Sequence, residues 1–170
     1  MDIIKTQRLT LREATIEDAT FILALLSEPA WHQFIASHSI DSLEKASEYI
    51  EEKMLASYRE HGFGLWLVES IAESTPVGIC GLLQRDTLPH PDLGFALLSQ
   101  HWGQGFAFEA AAACLAYAQD TLSLQQLLAI AKPLNQRSIA LLEKLGFRYE
   151  SGFSHPGSDE VLSLYARQFC

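Results

Sequence analysis

The sequence predicts one α/β (α+β) domain: a mixed, mostly antiparallel sheet flanked by helices, in the order β-α-α-β-β-β-α-β-α-β-β. Three observations carry that expectation. Short apolar runs, several with two-residue alternation, mark strands. Longer stretches repeat their apolar residues three and four apart, as helices do. Gly, Pro, Asn and Asp punctuate the chain at short intervals, with no repeat, low-complexity tract or linker. All 170 residues therefore form a single domain, near the usual size of about 100–150 residues.

Arg8–Arg12 alternates, with Leu9 and Leu11 on one side, as a short strand. Thr15 opens a helix: Thr15-x-x-Asp18 resembles a capping box, and Ala19, Ile22, Leu23 and Leu26 follow at helical spacing. Pro29 lies beyond the helix end, and Trp31–Ser39 reads as loop or broken helix. Asp41-x-x-Glu44 starts a longer helix with Leu43, Ala46, Ile50, Met54 and Tyr58 on one face and Gly62 as its stop. Strands follow at Leu65–Glu69, at Val77–Leu83 with Gly78 and Gly81 as candidate bulges, and at Leu93–Leu98. Gly103–Asp120 is an alanine-rich helix and Leu127–Ala131 a buried strand. Asn135 caps the helix Asn135–Leu145, which Gly146 closes. Phe147–Phe153 and Val161–Ala166 form a final hairpin across His155-Pro156-Gly157.

With 12 Lys and Arg against 21 Asp and Glu, the net charge is −9. That excludes a sequence-independent nucleic-acid binder, which needs clustered cations, and permits cationic partners. A hydrophobic fraction of 48% excludes disorder. Cys80, Cys114 and Cys170 show neither Cys-x-x-Cys nor zinc spacing, so free thiols in a reducing cytoplasm are expected. The start of the chain carries no signal-peptide pattern, and the most apolar run, Ala110–Ala118, is far shorter than the ~20 residues a membrane span needs.

Two motifs carry chemistry. In Leu93–Glu109 a strand runs into Gln100-x-x-Gly103-x-Gly105 and a helix follows at once. Glycines let backbone approach a ligand, and the first amides of a helix are unpaired and positive, so this turn suits a phosphate or pyrophosphate. An ordinary strand-to-helix connection would also use two glycines, and the spacing matches neither the dinucleotide-binding nor the P-loop fingerprint. Second, Asn135 and Ser138 share one face at a helix mouth, where they could hold a polar chain such as pantetheine. Asn135 as a simple N-cap over the Ser138 amide explains the same pair, and Gly146-Phe147 reads equally as a helix stop.

Together these motifs resemble the GNAT acetyltransferase superfamily. Gln100-x-x-Gly103-x-Gly105-x-Ala107 is similar to its acetyl-CoA motif, and Asn135-x-x-Ser138 with Glu143-Lys144-Leu145-Gly146-Phe147 to its next one. Thr6-x-Arg8-Leu9-x-Leu11-Arg12 and Trp102-Gly103-Gln104-Gly105-Phe106-Ala107-x-Glu109-Ala110 resemble the ribosomal-protein alanine N-acetyltransferase (RimJ/RimL-type) branch. The resemblance spans essentially the whole chain. It implies a GNAT-like sheet splayed around acetyl-CoA. The implied cofactor contacts are Leu97, Leu98, Gln100, Gly103, Gln104, Gly105, Phe106, Ala107, Asn135 and Ser138. A backbone N–H of Leu93–Leu98 would polarise the thioester carbonyl. The implied partners are acetyl-CoA and an amine acceptor, for a monomer or homodimer, with no metal, nucleic acid or membrane.

The implied reaction is acetyl transfer to a primary amine, with a protein or peptide N-terminus ahead of a polyamine, amino sugar or amino acid. A noncatalytic acyl-CoA sensor and a nucleotide- or phosphate-binding protein are the other classes. Many family members carry a tyrosine as general acid where this chain has Leu142; Ser138 is the substitute proposed for the ribosomal-protein branch. Asp92, opening the strand before the glycine motif, is the first candidate for the base and Glu69 the second, with His90, His155 and Glu160 behind them. Solvated turn or strand-end positions explain each of these residues without a role. Trp31, His32, Phe34, His38 and the His155 loop are candidates for the acceptor side, although Trp31 and Phe34 are as easily core caps.

Overall fold

The computed structural model describes residues 1–34 and 40–169, with the backbone alone at residues 32–34. The alternation at Leu9 and Leu11 forms a strand, β2 (Leu9–Arg12), and both leucines are fully buried. A strand absent from the sequence reading, β1 (Asp2–Lys5), pairs with it antiparallel. Its two isoleucines are adjacent rather than alternating, and a bulge between Asp2 and Ile4 fits them to the register. The other strands are β3 (Leu65–Ser70), β4 (Thr75–Leu83), β5 (Asp92–Leu97), β6 (Gln126–Ala131), β7 (Arg148–Phe153) and β8 (Leu162–Gln168). They form one mixed, mostly antiparallel sheet in the order β1-β2-β3-β4-β5-β6-β8-β7. The exception is β5 with β6, which run parallel and pair in register only at Asp92 and Leu128.

Helices cover both faces. Thr15 donates its amide to Asp18 Oδ2 at 2.8 Å, as the capping box requires, and a short 3-10 turn leads into α1 (Ala19–Leu26). Pro29 does not merely follow that helix; it begins another, α2 (Pro29–Phe34). Proline lacks the N–H that the first helical position leaves unpaired anyway. His38 and Cys170 lie outside the described residues, as do the side chains of His32 and Phe34. The long helix starts one residue later than expected: Ser42, not Asp41, accepts the Lys45 amide at 3.1 Å. It runs as α3 (Leu43–Tyr49), a π-helical stretch Ile50–Leu55 and α4 (Ala56–His61). The remaining helices are α5 (Phe106–Asp120) and α6 (Gln136–Lys144). After α6, Phe147 N–H meets Leu142 O at 2.9 Å and Gly146 N–H meets Glu143 O at 3.0 Å, the doubled closure of a glycine helix stop.

Strand alternation sorts the core into two layers. Trp66, Val68, Cys80 and Leu82 pack under α5, while Leu67 and Ile79 face α1, α3 and the π-helical stretch. The small residues Ala110, Ala111, Cys114 and Ala118 let α5 lie close on the sheet; Cys80 and Cys114 are free, buried and 3.6 Å apart at sulfur. Among the described residues no helix is long and apolar enough to cross a membrane.

The bulge reading is corrected at Gly81, while Gly78 borders the slip that does occur. The slip between β3 and β4 falls between Val68 and Glu69, opposite Val77. The glycines permit close approach instead: a Cβ on Gly81 would lie 2.0 Å from Gly64 O, and one on Gly78 2.3 Å from Ala96 O. Gly81→Ala should therefore cost at least ~2 kcal/mol in urea unfolding, against about 1 kcal/mol for Gly157→Ala. Gly157 needs a positive φ but would meet no atom within 4 Å. Equal costs would refute the close-approach account.

Candidate active site

The site begins where β5 and β6 part. Leu128 N–H reaches Pro91 O at 2.9 Å, and beyond that contact the two strands share no register pair. Leu98 N–H donates to Val77 O at 3.0 Å, which sets the direction of every backbone group along β5. In an antiparallel pair alternate residues turn toward the partner. Asp92, Gly94 and Ala96 thus face β4 with their backbone, and Leu93, Phe95 and Leu97 face the gap. Trp102 Nε1–H covers Leu97 O at 3.0 Å. Leu98, expected beside Leu97 as a cofactor contact, spends its amide on Val77 and its carbonyl on His101 N–H at 2.9 Å, and it lines neither cavity described below.

On one side of the gap lies a cavity of about 430 Å³. Its walls include Gly103, Gly105, Phe106 and Ala107 from the glycine turn and Asn135 and Ser138 from the start of α6. Gly103 and Gly105 have φ of +78° and +82°, a left-handed conformation open to glycine. That turn delays α5 to Phe106, three residues after the expected start. Glu109 N–H closes the first turn on Gly105 O at 3.0 Å, so the amides ahead of it have no intrahelical partner and stand at the positive helix end. Asn135 Oδ1 accepts Ser138 N–H at 3.3 Å, so the N-cap role holds and Asn135 still faces the cavity. Gln100 and Gln104 do not line it: the Gln100 amide meets the His101 ring at 3.3 Å, and Gln104 O accepts from Arg8. Arg137 and Leu134 line the cavity and escaped the sequence reading. Arg137 lies 4.5 Å over the Trp102 ring, and Leu134 is 85% exposed. The available signal was their place inside and just before Asn135-x-x-Ser138.

On the other side lies a larger cavity of about 770 Å³. The two share Trp31, Phe95, Ala96, Asn135 and Ser138, so they meet at the open backbone of β5. Asp92 sits in this second cavity, 1% exposed, with Arg85 Nε at 3.1 and 3.2 Å from its oxygens. Burial pushes its carboxyl up to about 6, against the opposing pull of Arg85. Tyr49 lines the same cavity edge-on to Trp31, and burial pushes its phenol up to about 12. Leu142, at the place of the family's usual tyrosine, is buried against this cavity. His155 and Glu160 also line it, and Glu160 pairs with Lys132 at 3.3 Å. Arg85 and Lys132 are thus answered, which leaves Glu52, Glu60 and Asp86 against Lys53: a surplus of negative charge.

Glu69 is a correction. It lines neither cavity and instead pairs with Arg12 at 3.1 Å, beside the Arg12–Asp18 pair at 2.8 Å. Its strand-end position at the far side of β3 holds β2 and the turn before α1. His90 likewise lines neither cavity and meets Gln126 at 3.0 Å.

Residues 8–148 match the family model described as acetyltransferase (GNAT) domain. An uncharacterized N-acetyltransferase of Bacillus subtilis (strain 168), YoaA, is 29% identical over 151 residues, covering 87% of this chain and 84% of that protein. In fold, an acetyltransferase from Agrobacterium tumefaciens superposes with a TM-score of 0.83 at 23% identity, over 98% of this chain and 94% of that one. The ribosomal L7/L12 alpha-N-protein acetyltransferase RimL, solved with coenzyme A, superposes with a TM-score of 0.80 at 19% identity, over 99% and 98%. With the glycine turn, the parted strands and this match in hand, the chain belongs to the GNAT acetyltransferase family.

Proposed function

We propose that the chain transfers an acetyl group from acetyl-CoA, bound in the smaller cavity, to a primary amine entering through the larger one, and that the preferred amine is a peptide N-terminus. The observation that carries this reading is the meeting of the two cavities at Phe95 and Ser138, in the gap between β5 and β6. The residues suit the cofactor: unpaired helix amides for the pyrophosphate, and Asn135 and Ser138 for the pantetheine arm. Acetyl-CoA supplies an activated thioester carbonyl. The Phe95 amide, turned into the gap, donates to the carbonyl oxygen as charge develops there. Trp31 and Ala96 hold the amine close, and positioning supplies much of the rate.

Asp92 takes the proton, directly or through one water. A carboxylate near 6 is better matched to an α-ammonium, at about 7.7–8.0, than to a lysine-like ammonium at about 10.4. That match favours the peptide N-terminus. The surplus carboxylates Glu52, Glu60 and Asp86 support a second reading, an amine carrying a further cation such as a polyamine. Release of the thiolate needs little help, since a thiol near 8.5 is a fair leaving group at neutral pH. A leucine at position 142 is compatible with that chemistry.

Thiol release from acetyl-CoA, followed with Ala- and Ser-starting peptides, polyamines and amino sugars, should be fastest with the peptides. Turnover with polyamines alone would favour the second reading. Gly105→Val should weaken CoA binding at least about tenfold by calorimetry, because the turn needs a positive φ. Unchanged affinity would remove the pyrophosphate assignment.

The pH profile tests Asp92. A base must be ionised, so kcat/KM should rise with pH through about 6. Asp92→Asn should lower kcat about 10²-fold or more and abolish that limb. Arg85→Gln removes the opposing cation and should move the limb to higher pH. A limb unmoved by either change would acquit Asp92. Because the folded carboxyl lies above its unfolded value near 3.8, this group's contribution to stability is lost as pH rises through about 6, and Asp92→Asn should flatten that slope.

A further inference from the structure

We propose that Arg8 is a positioning residue for the cofactor loop: it fixes the Gly105 amide toward the smaller cavity and cancels the charge of Glu109 beside it. The inference rests on the reading that this cavity takes the pyrophosphate of acetyl-CoA. Arg8 lies in the turn between β1 and β2, far from the loop in sequence. Its Nη1 donates to Gln104 O at 2.8 Å, its Nε to Glu109 Oε1 at 2.7 Å, and its own amide to Glu109 Oε2 at 2.9 Å. The Thr6 hydroxyl also donates to Glu109 Oε2. The guanidinium lies 4.7 Å from the Phe106 ring centre, and a Cβ on Gly105 would stand 3.2 Å from its Nη2.

None of Arg8, Gln104 and Glu109 lines the cavity, so Arg8 acts through the loop. The first consequence is geometric. In a trans peptide the C=O and the following N–H point in opposite directions. Pinning Gln104 O on Arg8 therefore turns the Gly105 N–H away from Arg8, toward the cavity that Gly105 lines. The second is electrostatic. Glu109 sits in the first turn of α5, the end that attracts anions. Partial burial raises its carboxyl, but Thr6 and Arg8 outweigh that and hold it below its usual value, so it stays ionised. Without Arg8 that carboxylate would oppose an incoming pyrophosphate. A lysine could supply the charge but not the planar fork that spans Gln104 O and Glu109 together. The Arg8 side chain is 45% exposed, so its loss should cost the fold little.

The test is calorimetric titration of CoA, and of CoA lacking its 3′-phosphate, into the unaltered protein and into Arg8→Ala, Arg8→Lys and Arg8→Ala/Glu109→Gln, with a thermal melt of each. Arg8→Ala should weaken both ligands alike, by about ten- to thirtyfold. Arg8→Lys should restore only part of that, and the double variant should bind several-fold tighter than Arg8→Ala alone. With acetyl-CoA as substrate, KM should rise while kcat holds. An Arg8→Ala variant that melts lower but binds CoA normally would overturn the proposal, as would a loss confined to the ligand bearing the 3′-phosphate. A double variant no better than Arg8→Ala would overturn the charge argument. Failure of the unaltered protein to bind CoA would instead overturn the reading of the cavity, and so the two failures are told apart.

Discussion

A parallel strand pair held at one register position governs the rest of this molecule. β5 and β6 touch at Asp92 and Leu128 and then separate. A parallel connection needs a crossover, and α5 is that crossover. Opening the ladder is costly, because each buried backbone group left without a partner costs about 1–3 kcal/mol. The fold limits the damage on both sides. β6 pairs with β8 along its whole length, from Gln126 with Gln168 to Ala131 with Ser163. β5 pairs with β4 over all six of its residues. Each strand is secure in its own half-sheet, and the backbone exposed between them is confined to a few groups near Phe95 and Leu97, one of which Trp102 covers.

The elements around the gap are tied to that frame by polar contacts from distant parts of the chain. Glu28, at the junction of α1 and α2, accepts the Ser99 amide at 2.9 Å, which docks the end of β5 against the first helical layer. The β1–β2 turn reaches the glycine loop through Arg8 Nη1, which donates to Gln104 O at 2.8 Å, and the start of α5 through the Arg8–Glu109 pair at 2.7 Å. Tyr58 donates to Leu65 O and accepts the Ala14 amide at 3.1 Å, joining α4 to β3 and to the approach to α1. The loops that form the cavity walls thus gain support from side chains far away in sequence. Bound geometry that depends on such loops is only as good as these supports.

Local signals were legible and long-range ones were not. The capping box at Thr15 and Asp18, the Asn135 cap, the Gly62 and Gly146 stops and the strand alternation at Leu9 and Leu11 are each written within a few residues, and each appears in the fold. β1 is missed because a four-residue edge strand earns its place only by pairing with β2. The glycines of β4 look like bulge formers in one dimension, while their reason is the approach of Gly64 O and Ala96 O from neighbouring chain segments. The same divide runs through the site. Gly103, Gly105, Asn135 and Ser138 can be read from motif spacing, and the structure brings them to one cavity. That Glu69 belongs to Arg12 depends on which strand lies beside which, whereas Asp92 meets Arg85 across the short connection between β4 and β5.

Charge is distributed in a way that suits the two proposed substrates. A chain of net −9 must still receive a polyanionic cofactor. Beside the smaller cavity Arg137 lies over Trp102 and Lys144 stands 4.6 Å over the Phe108 ring, while Arg8 braces the glycine loop from behind; Glu28 also lines this cavity. Arg137 and Lys144 rest on these aromatic faces, whereas Arg8, over Phe106, is matched by Glu109. On the acceptor side the carboxylates predominate, and Arg85 and Lys132 are already matched by Asp92 and Glu160. The larger cavity thus carries the surplus of negative charge, which would favour an ammonium there. In the proposed reading the phosphates are met by Arg137 and the unpaired amides of α5 rather than by a basic surface. The proposed reaction needs its two reactants to arrive from opposite faces of one gap, and the surplus carboxylates around the larger cavity suit an ammonium as the one that arrives there.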